Sequence, residues 1–321
     1  MMMKKCLILL ALLAAVPAAL GQSAAYPNRP IRMIVPFGAG TGVDANGRYF
    51  AEALGAVLGQ PVVVENRPGA DGVIGMMAVK TSPADGYTML LASNSSLTVN
   101  PLVIRNLPYD PLKDFRPISG LTRGMTVFVA PADSKLNTLA DLVAAMKQAS
   151  APMAVGTYST GYRLAIEWFC SVAGVKFVNV PYKTSSTMFT DVIGGRVDWA
   201  VTDLIGAGEL LRAGKIKAIA VSGEARNEDF PAIPTIRESG YPAYVNYTWS
   251  SLSVRAETPE DVTARLVEAL QKVFAQPATR DFLKRAKSEL MTFGPAEQQA
   301  FQRSEMERLQ RTADAAGIKP E

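Results

Sequence analysis

The fold of this 321-residue chain is decided by the stretch from Tyr26 to Gly75, YPNRPIRMIVPFGAGTGVDANGRYFAEALGAVLGQPVVVENRPGADGVIG. Its apolar run at Ile31–Phe37 predicts a buried strand, which a glycine-rich turn follows. A helix is expected from about Val43 to Leu58, and Gly59 fits its C-terminal stop. A second strand at Pro61–Glu65 leads into a second glycine-rich turn. In open α/β sheets, ligands bind at turns of this kind, at the carboxyl ends of the strands.

The first 25 residues, MMMKKCLILLALLAAVPAALGQSAA, have the layout of a secretory signal peptide. Lys4 and Lys5 form a basic region, and the ten residues of Leu7–Val16 are all apolar. That run is too short to span a bilayer comfortably, which takes about 20 residues. Small residues allow cleavage after Gly21 or after Ala25. The leader predicts export to the periplasm.

Composition excludes several classes of function. The chain has 33 basic and 29 acidic residues, and without the two lysines of the leader the excess is only +2. With so small an excess and no basic run interleaved with aromatic residues, nucleic acid is not an expected partner. The chain has no histidine, which excludes Ser-His-Asp and Cys-His catalysis and removes the commonest metal ligand. After cleavage Cys170 is the only cysteine, and its apolar surroundings predict a buried, inert thiol.

The rest of the chain repeats the strand–turn–helix pattern in two halves. A third strand leads into the polar loop Ser93–Ser96, and Asn106–Pro117 is expected to be an irregular surface segment. In the second half a strand is expected at Met125–Ala130, and another precedes the turn Thr157–Gly161. A further strand ends at Thr202-Asp203. The pattern predicts an α/β protein of two domains.

The glycine-rich turns suit the binding of an anion. Gly38–Asp44, Arg67–Gly75 and Thr157–Gly161 each precede a predicted helix, whose N-terminal N–H groups and dipole favour negative charge. Turns that face each other from two domains would form a cleft that closes around a ligand. The alternative is that these are ordinary turns in which glycine only relieves backbone strain.

A dinucleotide-binding turn is a rival interpretation of the first loop. Gly38 and Gly40 follow a strand and precede a helix, and Glu65 ends the next strand, where a ribose-binding acid belongs. The third glycine of that pattern is Val43 here, so the fingerprint is broken. No cofactor is therefore expected.

Four side chains near the turns each have two interpretations. Asp203 would either receive a ligand amine or hydroxyl, or cap the turn that follows it. Arg67 would pair with a ligand carboxylate or with its neighbour Glu65. Tyr158 and Tyr162 would stack on a ligand ring or pack along the edge of a helix.

A series of ordered motifs carries a family resemblance over nearly the whole chain after the leader. The chain resembles the extracytoplasmic solute-binding proteins of tripartite tricarboxylate transporters, the Bug family. The matching segments are YPNRPIRMIVPF (Tyr26–Phe37), GQPVVVENRPGADGVIG (Gly59–Gly75), DGYTMLLAS (Asp85–Ser93), NLPYDPLKDFRPI (Asn106–Ile118), VPYK (Val180–Lys183), DVIGGRVDWAVTD (Asp191–Asp203), FPAIPTIRESGYP (Phe230–Pro242) and Trp249.

The resemblance implies a type II periplasmic-binding-protein fold, in which two α/β domains enclose a ligand cleft and the chain crosses between them twice. We place the crossings near Gly124 and Tyr247. The expected division is a signal peptide at 1–25, a first domain at 26–124 and 248–321, and a second domain at 125–247.

The resemblance also implies a non-catalytic, monomeric receptor that binds a small organic carboxylate through backbone amides and water, and then docks on membrane transporter subunits. Family ligands include di- and tricarboxylates, acidic amino acids, nicotinate and aromatic acids. Carried over by position, the ligand-binding residues are Phe37, Gly38, Ala39, Gly40, Thr41, Asp44, Ser93, Ser95, Thr157, Tyr158, Ser159, Thr160, Tyr162 and Asp203.

The sequence departs from the family pattern in the ligand loops. The first loop usually reads Pro-Phe-Pro-Pro-Gly-Gly, whereas residues 36–41 are PFGAGT. In the second domain, small residues and a following histidine are usual, but here Tyr158 and Tyr162 flank the turn. Thr184 and Thr187 replace a glycine and a proline after the VPYK motif.

Two alternatives to a transport receptor are an exported hydrolase, which would need a lysine or a carboxylate pair, and a sensor for a membrane signalling protein.

Overall fold

The computed structural model describes residues 26–320, so the predicted signal peptide lies outside the described residues. The strands are β1 (Ile31–Val35), β2 (Val62–Asn66), β3 (Thr88–Ser93), β4 (Phe115–Pro131), β5 (Met153–Thr157), β6 (Phe177–Pro181), β7 (Trp199–Asp203), β8 (Ile216–Val221), β9 (Tyr247–Arg255) and β10 (Ser288–Leu290). The α-helices are α1 (Gly42–Leu58), α2 (Val73–Lys80), α3 (Asn100–Val103), α4 (Leu139–Gln148), α5 (Thr160–Ala173), α6 (Ser185–Ile193), α7 (Leu204–Arg212), α8 (Glu260–Phe274), α9 (Pro277–Ala286) and α10 (Pro295–Ala315). A 3-10 turn at Ala70–Gly72 precedes α2, and a π-helical turn at Ser95–Val99 precedes α3.

The strands form two α/β domains. In the first domain the strand order is β2-β1-β3-β9-β4, and β10 also pairs with β4. Strands β1, β2 and β3 run parallel, and β9 and β10 run antiparallel to their neighbours. In the second domain β6, β5 and β7 are parallel, and β7 and β8 both pair antiparallel with the end of β4.

Strand β4 joins the two domains. From Phe115 to Met125 it pairs with β9, and from Thr126 onward it pairs with β7 and β8. The second connection returns through β9, whose first residue, Tyr247, lies opposite Met125. The chain therefore crosses between the domains twice, as the fold expected from the resemblance requires.

The sequence prediction for β4 was too short. The segment Asn106–Pro117 was expected to be irregular, but its last three residues belong to a strand of 17 residues. Register shifts occur after Pro117 and after Gly120, residues that ordinarily interrupt strands. These bulges let β4 pass both residues without losing its pairing with β9.

Buried side chains on both faces of the first sheet explain why β1 is apolar at every position except the exposed Arg32. Ile31 and Met33 pack toward α1 and α8, whereas Ile34 packs on the opposite face against Met76 and Val79 of α2. A strand covered by helices on both faces must be apolar at nearly every position. The second domain has a separate core in which Phe128 contacts both Phe169 and Trp199.

Local signals fix the ends of α1, the helix that follows the first glycine-rich turn. Its N-terminus is capped by Thr41, whose hydroxyl accepts a hydrogen bond from the backbone N–H of Asp44. Its C-terminal cap is Gly59, which adopts the left-handed conformation (φ 71°) that the sequence predicted.

Among residues 26–320, no helix is both long and apolar enough to cross a membrane.

Replacement of Trp199, a fully buried side chain of the second-domain core, should destabilise the protein severely. Trp199→Ala leaves a cavity against Phe128, whose ring centroid lies 5.0 Å away. We expect a loss of about 3–5 kcal/mol in the free energy of unfolding by urea. The control is Val178→Ala, because Val178 is 50% exposed and should change stability by less than about 0.5 kcal/mol. Equal losses for the two variants would contradict the packing described here.

Candidate functional site

A cavity lies between the domains, where the carboxyl ends of β1 and β3 face those of β5 and β7. Eight of the fourteen predicted ligand-binding residues line it. They are Phe37, Thr41, Ser93, Ser95, Tyr158, Ser159, Tyr162 and Asp203. Residues from the loops of both halves of the chain therefore meet in one cleft.

The other six predicted residues do not line this cavity: Gly38, Ala39, Gly40, Asp44, Thr157 and Thr160. Asp44 is used within its own domain, because its carboxylate accepts from the backbone N–H of Gly40 (2.9 Å) and pairs with Arg48 (3.0 Å). Thr157 donates to the side-chain oxygen of Asn179 (2.7 Å). These contacts give Asp44 and Thr157 structural roles that sequence position alone did not reveal.

The cavity is also lined by residues that were not among the fourteen predicted ligand contacts, although Gly42, Val43 and Asn94 lie within the predicted loops. The additional lining residues are Gly42, Val43, Asn46, Asn94, Thr122, Gly124, Ile205, Thr248, Trp249, Ser250 and Ser288. Gly42 and Asn46 lie one helical turn apart on α1, so the spacing of the helix was a usable signal. The residues of β4, β9 and β10 carried no such signal, because only strand pairing brings them to the cleft.

A chain of three hydrogen-bonded side chains lies on the first-domain side of the cleft. Asn46 donates from its amide to the Thr122 hydroxyl (2.7 Å), which lies 2.9 Å from the hydroxyl of Ser250. The Asn46 oxygen has no hydrogen-bond partner among the described residues, and neither does the indole N–H of Trp249. Asn46 and Trp249 are both buried, so each presents an unsatisfied polar atom beside the cavity.

Asp203, which ends β7, is the centre of the second-domain side. One carboxylate oxygen caps α7 by accepting from the backbone N–H of Gly206 (2.6 Å). The other accepts from the phenols of Tyr158 and Tyr162. Of the two interpretations of Asp203, the cap is therefore present, and the same carboxylate also faces the cleft.

The two tyrosines are packed together and stay protonated. Their ring centroids are 4.7 Å apart, and their phenol oxygens are 3.0 Å apart. Burial, and then the negative charge of Asp203, raise the pKa of both phenols well above the ordinary value. Both phenols can therefore donate hydrogen bonds to the carboxylate at physiological pH.

Direct contacts between the domains show that the cleft is closed in this structure. The hydroxyls of Ser95 and Ser159 are 3.1 Å apart, and Thr160 donates to the side-chain oxygen of Asn100 (2.6 Å). The hydroxyl of Ser185 donates to the carbonyl of Gly40 (3.3 Å). Each contact joins a residue of the first domain to one of the second.

Three glycines allow this close approach. A Cβ added at Gly42 would lie 2.6 Å from a carboxylate oxygen of Asp203, and one added at Gly38 would lie 2.6 Å from the methyl carbon of Thr184. A Cβ at Gly161 would overlap the hydroxyl of Ser95. All three glycines lack a positive φ, so the need for glycine comes from the neighbouring domain and not from backbone strain.

Among the described residues that line the cavity, Asp203 is the only one with a charged side chain. Arg67, the basic residue that the sequence placed near a turn, instead donates to its neighbour Glu65 (2.6 Å), which also binds Arg32. Glu65 is thus occupied by two arginines, a poor match for the ribose-binding acid of the dinucleotide hypothesis.

Metal binding and thiol chemistry depend on the acidic and cysteine side chains of the described residues. Within residues 26–320, no cluster of three or more acidic or cysteine side chains is arranged to hold a metal ion. Cys170 is buried, and burial raises the pKa of its thiol to about 12. A thiol with so high a pKa is a poor nucleophile at neutral pH.

The two domains, the double crossing and the closed cleft define a periplasmic binding protein of type II. Residues 47–318 match the tripartite tricarboxylate transporter family receptor, and the chain belongs to that family. It is 39% identical over 227 residues to protein BugT of Bordetella pertussis, an alignment covering 70% of each chain.

Two solved structures with this fold are similar along almost their whole length. The periplasmic binding protein BugD has a TM-score of 0.88 and 29% identity, with 92% of this chain and all of BugD covered. An R. palustris protein solved with adipate has a TM-score of 0.89 and 30% identity, with the same coverage. The family is one of solute-binding receptors.

The two buried phenols should make folding stability sensitive to alkaline pH. An unfolded tyrosine loses its proton near its ordinary pKa of 10, whereas Tyr158 and Tyr162 hold theirs in the folded state. Their contribution is therefore fully present below pH 10 and falls as the pH rises above it. The free energy of unfolding should fall less steeply between about pH 9 and pH 11 in a Tyr158→Phe/Tyr162→Phe variant than in the unmodified protein. Identical slopes in urea titrations would contradict the assigned burial.

Proposed function

We propose that this protein is a periplasmic receptor that captures a small organic carboxylate by closing its two domains around it. The observation that carries the proposal is the cleft between the N-termini of α1 and α5. Within residues 26–320, no side chain caps α5, whose N-cap residue Ser159 lines the cavity. Helix N-termini attract anions through their free N–H groups and dipole. Hydroxyls of Ser93 and Ser95 add donors without adding charge.

The relatives support this ligand class. The R. palustris structure with 30% identity was solved with adipate, a dicarboxylate, and the BugD structure is described as a periplasmic binding protein. By analogy with these receptors, we propose that the fourteen residues named from the sequence include the ligand contacts. The eight that line the cavity are the first to test.

We propose further that the loaded receptor acts as a monomer in the periplasm and delivers its ligand to membrane transporter subunits. The family description and the signal-like leader support this location and this partner. The test is uptake of labelled ligand by cells that lack or express the protein. Expression without an increase in uptake, for a protein shown to bind that ligand, would favour a sensing role instead.

The binding proposal is tested by thermal unfolding in the presence of organic acids. The protein is first unfolded and refolded, which removes any ligand carried from the cell. A ligand present at about 100 times its dissociation constant should stabilise the protein by about 2.7 kcal/mol. The panel contains aliphatic di- and tricarboxylates, amino acids and aromatic acids. No stabilisation by any of them would contradict the proposed ligand class.

Gly42→Ala should weaken ligand binding by blocking closure. Its added methyl group would meet Asp203 of the second domain only when the cleft is shut, so the fold should be unaffected. Overpacking of this kind costs about 1–3 kcal/mol, which corresponds to roughly 5- to 150-fold in affinity. Gly294→Ala is the matched control, because no atom lies within 4 Å of a Cβ there. Isothermal titration with the same ligand measures both variants, and equal affinities would show that closure does not bring Gly42 against Asp203.

A further inference from the structure

The negative charge of Asp203 limits which carboxylate ligands the closed cleft can hold. A closed cleft removes a ligand from water, and a charge left there without a partner is costly. Neither lysine nor arginine lines the cavity among the described residues, and Asp203 is its only ionisable carboxylate. A ligand with a second carboxylate would have to place that charge in a site that already holds a negative one.

Among the described residues that line the cavity, the Asn46 oxygen is a buried acceptor and the Trp249 indole N–H a buried donor, and neither has a hydrogen-bond partner. The Asn46 oxygen has no partner among the described residues, although Asn46 is only 3% exposed and lines the cavity. Asp203 is 5% exposed, and its donors among the described residues are two phenols and one backbone N–H, all of them neutral. Buried acceptors of this kind are satisfied by a ligand that brings hydrogen-bond donors.

Tyr158 and Tyr162 hold this carboxylate in place. Each phenol donates to the same oxygen of Asp203, while the other oxygen is tied to the N-terminus of α7. The lone pairs of the phenol oxygens add further acceptors at the same place. Asp203 and the two phenols therefore form an oriented group of hydrogen-bond acceptors beside the cavity.

We propose that the ligand carries an ammonium group in addition to its carboxylate, and that Asp203 with Asn46 receives the ammonium. An ammonium offers three donors and a positive charge, which matches one carboxylate and one free amide oxygen. The carboxylate of the ligand lies toward the helix N-termini. The inference rests on the proposed function and narrows its ligand class to amino acids and related zwitterions.

The experiment compares acids that differ only by the ammonium group. Isothermal titration of the refolded protein measures the pairs aspartate and succinate, glutamate and glutarate, and 4-aminobutyrate and butyrate. For the pair that fits the cleft, the ammonium-bearing member should bind at least tenfold more tightly. If the members lacking ammonium bind equally well or better, the inference is wrong and the receptor proposal stands. If no acid in these pairs or in the wider panel binds, both fail.

A charge-neutralising variant tests the residue assignment. Asp203→Asn keeps an oxygen that can cap α7 but removes the negative charge, so the preference for the ammonium-bearing acid should fall to less than about threefold. The control is Asp141→Asn, because Asp141 is a capping carboxylate of the same domain that lies outside the cavity. The control should keep the full preference. A preference that survives in Asp203→Asn would show that Asp203 does not bind the ammonium group.

Discussion

The cleft depends on the burial of a single negative charge between two domains. Asp203 remains in this position because the N-terminus of α7 and the phenols of Tyr158 and Tyr162 donate to it. These donors stabilise the carboxylate without neutralising it, since all of them are uncharged. The interior of the closed protein therefore keeps an uncompensated charge, and a cationic group on the ligand would relieve it.

The same carboxylate sets the composition of the opposing helix. Because Asp203 lies against the first turn of α1, the residue there can carry no side chain, and it is Gly42. Gly38 and Gly161 meet the opposite domain in the same way, at Thr184 and Ser95. In the turns Gly38–Asp44 and Thr157–Gly161, glycine thus lets the two domains come into contact in the closed cleft.

The parts of the fold that are local in sequence were predictable. The strand–turn–helix units were recognised because each has an apolar run, a glycine-rich turn and an amphipathic helix in order. Helix α7 was not predicted, because its sequence LIGAGELLR contains two glycines. The first half of β4 was missed because Pro117 and Gly120 interrupt it, and the structure passes them with bulges.

The site was predictable where loops follow strands, and not where distant strands cross. Tyr158 and Asp203 were named from their positions after β5 and in β7, yet nothing local indicated that they would bond to each other across 45 residues. Thr122 and Ser250 reach the cleft only because β4 and β9 pair at the crossing between the domains. Asp44 lies in the expected loop but is used by Gly40 and Arg48 of its own domain. Proximity in sequence identified the loops, and tertiary contacts then decided which side chains face the cavity.

Closure of the two domains on ligand binding is tested most directly by a distance measured between them. Val63 of β2 and Val178 of β6 lie on the outermost strands of the two sheets and are 52% and 50% exposed. Nitroxide spin labels are attached to cysteines introduced as Val63→Cys and Val178→Cys, in a protein that also carries Cys170→Ser. The distance between the two labels is then measured by pulsed electron paramagnetic resonance. If binding closes the cleft, the distance should be longer in the refolded, ligand-free protein and shorter when the tightest-binding acid is added. A single distance that does not change with ligand would contradict closure on binding.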